Sequence, residues 1–314
     1  MKRFPCTLAA AWLGILQAQA AVTADFTPID FAMPTGADNL PDESEVRLRL
    51  ETMCSPVATV FDDDVKAYLA RYLTYGVRET AVMLGRSMVY LPTIEHYLLR
   101  NDLPQELKYL PMIESEMLPF AVSTHGAAGL WQIMPQTARA LGLVVDGKLD
   151  ERKDPNRSSE AATKYLKRLY RRFGSWELAL VAYNCGPGRL NRAIQQAKSR
   201  NYRKVKPFLP KETQLYLARY LASAYIGAYF PHHDIAPMLP DPVLYGAMSA
   251  RVYEAVSLDK IAAITGVDLP ILRRLNPGYV SDLLPARQKG IFLTLPKAVW
   301  VAYLDATHKP VLRP

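Results

Sequence analysis

The chain has 314 residues, 50% of them hydrophobic and 22% charged, enough apolar material for one large or two modest packed domains, which excludes wholesale disorder. Lysine and arginine number 38 against 30 acidic residues, and the resulting charge of +8 favours an acidic polymer or a membrane surface as neighbour without identifying one. Beyond residue 20 no apolar run approaches the roughly 18 residues that a membrane-spanning helix needs, so an integral membrane protein of that kind is not expected.

At the start of the chain, Lys2 and Arg3 precede an apolar stretch that ends in Ala18-Gln19-Ala20. That order of positive, apolar and small residues predicts a signal peptide over 1–20 and an exported protein. Cys6 lies ahead of the apolar stretch, which argues against a lipid-anchored cysteine at the cleavage site. In the exported chain Cys54 and Cys185 remain, either as a disulfide or as two unrelated buried thiols. Residues 21–60, rich in Pro, Asp and Thr without periodicity, read as an extended leader.

From 61 to 230 the pattern is helical. Val65, Leu69, Tyr72 and Leu73 share one 3.6-residue face, and Val82, Met83, Tyr90 and Leu91 another. Asn101-Asp102-Leu103-Pro104 reads as a helix start with Asp102 as cap, and the helix it opens runs through Glu114 with a kink at Pro111. Further helices are expected over 135–141, 157–173, 175–184, 187–198 and 211–230. Pro231, Pro237, Pro240 and Pro242 mark a linker over 231–249. Beyond it, a strand over 250–256, helices over 258–265 and 269–275 and a strand over 291–295 make a β-α-α-β module within 250–300, followed by a tail, 301–314. The fold class is mainly α: an all-α domain followed by a small α+β module.

The densest cluster of unusual residues is Glu114-Ser115-Glu116, then Ser123, then Gly126 through Pro135. A carboxyl among Leu110, Met112, Ile113 and Met117 has its charged form disfavoured by desolvation, which raises its pKa toward that of a general acid at neutral pH. Glu114 and Glu116, two apart, point to opposite sides of a helix and cannot work as a pair, so one is expected buried and the other solvated. Spacing alone leaves open whether either is catalytic. Asp154 before Pro155 reads as a helix cap rather than a second acid, and His125 as an ordinary loop histidine. His96, His232, His233 and His308 have no ligand spacing with cysteines or carboxylates, so neither a metal nor a cofactor is expected. Dispersed basic residues without a recognition motif argue against nucleic acid.

Three blocks in order carry a resemblance: Glu114-Ser115 with Ser123; Gly-Ala-x-Gly-Leu-Trp-Gln-x-Met-Pro-x-Thr-Ala from Gly126; and Ala182-Tyr183-Asn184-x-Gly-x-Gly, with Leu209-Pro210-Lys211-Glu212-Thr213 and Tyr216 downstream. Together they resemble the soluble lytic murein transglycosylases, and Ser87–Pro104 is most similar to the membrane-bound transglycosylase D branch. The resemblance implies a lysozyme-like fold over 61–230 and cleavage, without water, of the β-1,4 bond between N-acetylmuramic acid and N-acetylglucosamine in peptidoglycan, giving 1,6-anhydro ends. It implies that Glu114 is the catalytic acid and base. Ser123 and Gln132 would bond the sugar, Met134 would line the cleft, and Tyr183, Asn184 and Tyr216 would orient the acid and substrate.

Read as residues alone, Met134 and Tyr216 could equally be packing, and Trp131 is expected in the core. Gly126 and Gly129 would let the loop bend beside the acid. The C-terminal module looks like a degenerate LysM domain, whose relatives bind N-acetylglucosamine chains; a structural cap on the first domain is the equal alternative. The implied partner is the peptidoglycan strand, met by a monomer in the periplasm or cell envelope, compatible with peripheral association with membrane or wall. A muramidase hydrolysing the same bond and a non-catalytic wall-binding protein are the competing functions.

Overall fold

The computed structural model describes Leu40 and residues 42–307; the expected signal peptide, residues 21–39 and 41 of the expected leader and the second half of the tail lie outside them. Within residues 21–60, where an extended leader is expected, lies a helix, α1 (Glu43–Thr52). The Asp42 side chain caps it, and ion pairs one turn apart (Glu43 to Arg47, Glu45 to Arg49, Arg47 to Glu51) line its exposed side. Only Val46 and Leu50 are buried, so a hydrophobic period is scarcely visible in the sequence.

Asp62 caps α2 (Asp63–Ala70), which continues through a wide π turn over 71–75 into α3 (Val77–Arg100). The expected helix over 102–114 is in fact two pieces. Asp102 has a left-handed φ of 54° and ends the preceding segment instead of capping the next, a 3-10 turn spans 105–109, and α4 (Leu110–Ser115) starts afresh. Pro111 therefore lies in a first turn, where its missing donor costs nothing, rather than at a kink.

There follow α5 (Pro135–Ala140), α6 (Pro155–Phe173), α7 (Trp176–Cys185), α8 (Pro187–Ala197), the short α9 (Tyr202–Val205) and α10 (Lys211–Gln214), and α11 (Tyr216–Tyr229). Asp154 caps α6, as expected, and Ser175 caps α7. Every residue of α11 from Tyr216 to Ile226 is buried, so this helix is the axis of the domain, with α2, α4 and α7 packed around it.

The proline-rich segment after α11 is not a free linker. Ile235 is buried, the Met238 amide donates to the Ala81 carbonyl of α3 at 2.8 Å, and α12 (Pro242–Tyr245) leads into the C-terminal module. There β1 (Ala247–Val252) and β4 (Ile291–Pro296) pair antiparallel, Val252 opposite Ile291. Between them lie β2 (Val256–Ser257), α13 (Leu258–Thr265), α14 (Leu269–Leu275) and β3 (Leu283–Leu284), β2 pairing with β3. The expected β-α-α-β order holds. The expected tail contributes α15 (Trp300–Thr307), whose Trp300 and Tyr303 complete the module's separate core.

The strap over α3 rests on one close approach. A Cβ on Gly85 would meet the Met238 carbonyl oxygen at 1.7 Å. Although alanine is the better helix former, Gly85→Ala should destabilise the protein by about 1–3 kcal/mol through overpacking; chemical denaturation measures this.

Candidate active site

α4 buries Leu110, Pro111, Met112, Ile113 and Ser115, and leaves Glu114 as its one half-buried side chain. Its successors Glu116 (φ 52°) and Met117 (φ 60°) adopt left-handed backbone and stop the helix after one and a half turns. Glu116 is thus not on the opposite face of a continuing helix, nor is it solvated: its carboxylate lies 3.9 Å from the Arg86 guanidinium and is largely buried.

Glu114 faces α11. The Tyr216 hydroxyl donates to Glu114 Oε1, and Tyr216 itself is buried, so it serves both as packing and as a polar partner. One turn further along α11, Arg219 donates to the Ile113 carbonyl at 3.0 Å and places its positive charge beside the acid. Burial pushes the Glu114 carboxyl up to about 7. The Tyr216 hydrogen bond and Arg219 act in the opposite direction, and the exposed Glu212 of α10 adds a small upward push. Burial raises the phenols of Tyr183 and Tyr216 well above the usual tyrosine value, and the charge of Glu114 adds to both.

Residues 121–134 form a folded loop between α4 and α5. Isolated bridges join Val122 to Ala128 and Ala128 to Ile133. The Ser123 hydroxyl accepts the Ala127 amide at 3.0 Å. Gly126 (φ 83°) and Gly129 (φ 81°) supply the left-handed turns, and a Cβ on Gly129 would sit 1.7 Å from the Arg152 carbonyl oxygen. Gln132 spends its amide on the loop, with Nε2 donating to Gly129 O at 2.9 Å and Ala121 O at 3.3 Å. Met134 caps α5 in extended backbone and is 43% exposed, which rules out a core role for it.

Three bonds tie this loop to the acid's surroundings. Ser115 Oγ donates to Leu130 O at 2.9 Å, Tyr183 Oη to Trp131 O at 2.6 Å, and Trp131, fully buried as expected, donates its indole N–H to Ser159 Oγ at 2.9 Å. Asn184 accepts from Thr213 Oγ1 at 2.8 Å and so joins α7 to α10. The structure thus gathers Tyr183 and Tyr216 around Glu114 and ties Ser123, Gln132 and Met134 to that centre through the loop backbone. Cys185 is a free, buried thiol, so no bond joins it to Cys54. Among the described residues no cluster of His, Cys, Asp or Glu could hold a metal ion.

Ser115 and Thr213 stand in the motif blocks without an assigned role, and sequence reasoning missed Arg152 and Arg219. Only Arg219 carried a signal: it lies three residues after Tyr216, on the same face of a helix.

Residues 93–206, which contain the loop, α4 and α7, match the family model of the transglycosylase SLT domain. Tyr216 and Arg219 lie just beyond the matched stretch. Residues 249–305 match a second model, the LysM-like domain of lytic transglycosylase MltD, so the two matched stretches follow one another along the chain. It is 34% identical over 208 residues to membrane-bound lytic murein transglycosylase D of Escherichia coli (strain K12), which covers 64% of this chain and 45% of that protein. Peptidoglycan transglycosylase gp16 of Escherichia phage T7 is 41% identical over 96 residues, 30% of this chain and 7% of that one. A solved structure, the 70 kDa soluble lytic transglycosylase of Escherichia coli, aligns with a TM-score of 0.42 and 26% identity over 55% of this chain and 29% of that one. The chain thus spans less than half the length of each of these relatives.

The raised pKa has a thermodynamic consequence. A carboxyl that titrates near 7 when folded and near 4.5 when unfolded stabilises the fold least above pH 7, because the unfolded chain has released its proton at lower pH. Glu114→Gln removes that penalty. It should therefore raise Tm at pH 8 by several degrees, an upper limit of about 3 kcal/mol at about 1.4 kcal/mol per pKa unit, and the gain should vanish as pH falls to 4.5. Calorimetry of both proteins across that range checks it.

Proposed function

We propose that the protein is a peptidoglycan lytic transglycosylase that cleaves the β-1,4 bond between N-acetylmuramic acid and N-acetylglucosamine without water, with Glu114 as the catalytic residue. The observation that carries this reading is the Glu114 carboxyl, in the stretch that matches the SLT domain, desolvated to a pKa of about 7 and held by a tyrosine hydroxyl; burial pushes Asp154 up to about 7 as well, but its carboxylate is engaged as the cap of α6. An acid of that pKa is protonated in useful proportion at neutral pH and is still a competent base once it has given up its proton.

The steps follow from the donor pattern. Tyr216 occupies Oε1 as donor, which leaves the proton on Oε2. Glu114 gives that proton to the glycosidic oxygen as its bond to the muramyl C1 breaks, and N-acetylglucosamine leaves with a free 4-hydroxyl. The resulting carboxylate, stabilised by the Tyr216 hydroxyl and the Arg219 charge, takes the proton of the muramyl 6-hydroxyl as its oxygen bonds to C1. The acid is restored, no water is consumed, and the released fragment ends in a 1,6-anhydro ring. One carboxylate serves both steps, so the carboxylate pair of hydrolysing glycosidases is not required.

In this reading Ser123, Gln132 and Met134 meet the sugar from the loop, and Tyr183 and Asn184 orient the centre. Tyr183 does so through its bond to the loop and Asn184 through Thr213. The substrate is found in the cell envelope, consistent with the signal-like segment 1–20. Among the described residues no helix is long and apolar enough to cross a membrane.

Mass spectrometry of fragments released from purified peptidoglycan tests the proposal. Products lighter by one water than those of hydrolysis, and absent with Glu114→Gln, are expected. Reducing-end products would instead make it a muramidase, and no products from the folded protein would leave a wall-binding role. Tyr216→Phe removes a hydrogen bond that favours the charged form, so kcat should fall on the order of tenfold to a hundredfold. The high-pH limb of kcat/KM should then move to higher pH, which a pH–rate profile reads.

A further inference from the structure

The C-terminal module touches the first domain through a short backbone ladder on residues 148–150. Leu149 bridges Tyr279, the Asp150 amide donates to Gly278 O at 2.7 Å, and the Val280 amide donates to Lys148 O at 3.0 Å. Leu149 belongs to the module's apolar core rather than to that of its own domain. Gly278 lies so close that a Cβ there would be 3.1 Å from the Asp150 carbonyl oxygen.

The side chain of the same Asp150 faces the other way. Its two carboxylate oxygens take a two-pronged pair from Arg152, Nε to Oδ1 and Nη2 to Oδ2, both at 2.8 Å. The remaining prong, Arg152 Nη1, donates to Gly126 O at 2.6 Å and Ile133 O at 3.1 Å, two carbonyls on either side of Gln132 in the loop. Arg152 is 7% exposed and Asp150 equally so, and Gly129 packs directly on the Arg152 backbone. A buried guanidinium whose prongs are divided between a carboxylate and two loop carbonyls is a rigid brace; an ammonium has no matching geometry.

We propose that Arg152 is a positioning residue for the substrate loop and that the LysM-like module, by clamping Lys148, Leu149 and Asp150, holds that brace in register. The module thereby acts on the reaction as an intramolecular buttress, whether or not it binds glycan itself. The role assigned to the loop rests on the transglycosylase reading; the mechanical coupling does not.

Hydrogen exchange on the full chain, with steady-state kinetics on glycan strands, separates the two. Gly278→Val pushes the module off Asp150, and Arg152→Lys keeps the charge but loses the fork. In both variants the amides of Gly126, Ala128, Gly129 and Ile133 should exchange at least on the order of tenfold faster. Amides of the β1–β4 ladder and of α11 should stay protected, and KM should rise on the order of tenfold with the pH profile of kcat unmoved. Should Gly278→Val unfold the module, Val280→Pro removes the donor to Lys148 at an exposed position and gives the same readout. Unchanged loop exchange in a variant whose module has come away from Asp150 overturns the coupling. Faster exchange with unchanged KM keeps the coupling and overturns the assignment of the loop to substrate.

Discussion

The site turns on the desolvation of one carboxyl group. Glu114 lies on a helix of six residues whose other side chains are buried, and it faces the most buried helix of the molecule. Left alone, that burial would raise its pKa without limit of usefulness, since an acid that never ionises cannot act as a base. The hydroxyl of Tyr216 and the charge of Arg219 oppose it, and the balance leaves the group near 7. All three groups hang on two helices, α4 and α11, whose relative position is held by Arg219 bonding back to the Ile113 carbonyl. Any change that slackens this packing therefore changes the chemistry of the acid as well as the stability of the fold.

The loop over 121–134 presents a different physical problem. It is short of regular sheet, so its backbone groups need partners brought from elsewhere, and each partner also fixes its place. Ser115 comes from the acid's own helix, Tyr183 from α7, and Arg152 from the segment that the C-terminal module clamps. Hydrogen-bond satisfaction and positioning are here the same act. Gln132 shows the cost: its amide nitrogen is engaged within the loop.

Much of this was legible in the residues. The helical domain, the β-α-α-β order of the module, the cap at Asp154, the burial of Trp131 and the desolvated surroundings of Glu114 all follow from local pattern, because apolar periodicity and cap chemistry are local properties. The errors share a cause as well. α1 is held by ion pairs and two buried residues, too few to make a period. Residues 102–114 divide into a 3-10 turn and α4, and the left-handed backbone of Asp102 and Glu116, which their sequence does not demand, ends the segments before and after them. The proline-rich segment packs on α3 only because Gly85 leaves room for it.

What the sequence determined by itself is therefore the set of elements and the chemical identity of the candidate acid with its motif, because these depend on residues close together in the chain. The resemblance implied Tyr183 and Tyr216 beside that acid, but how its surroundings are bonded and braced was decided only in three dimensions. Tyr216 and Arg219 come from a helix about a hundred residues later, Arg152 from the segment ahead of α6, and the clamp on Asp150 from a separate module. Burial, ion pairing and hydrogen-bond completion are properties of neighbours in space, and the chain order does not record them.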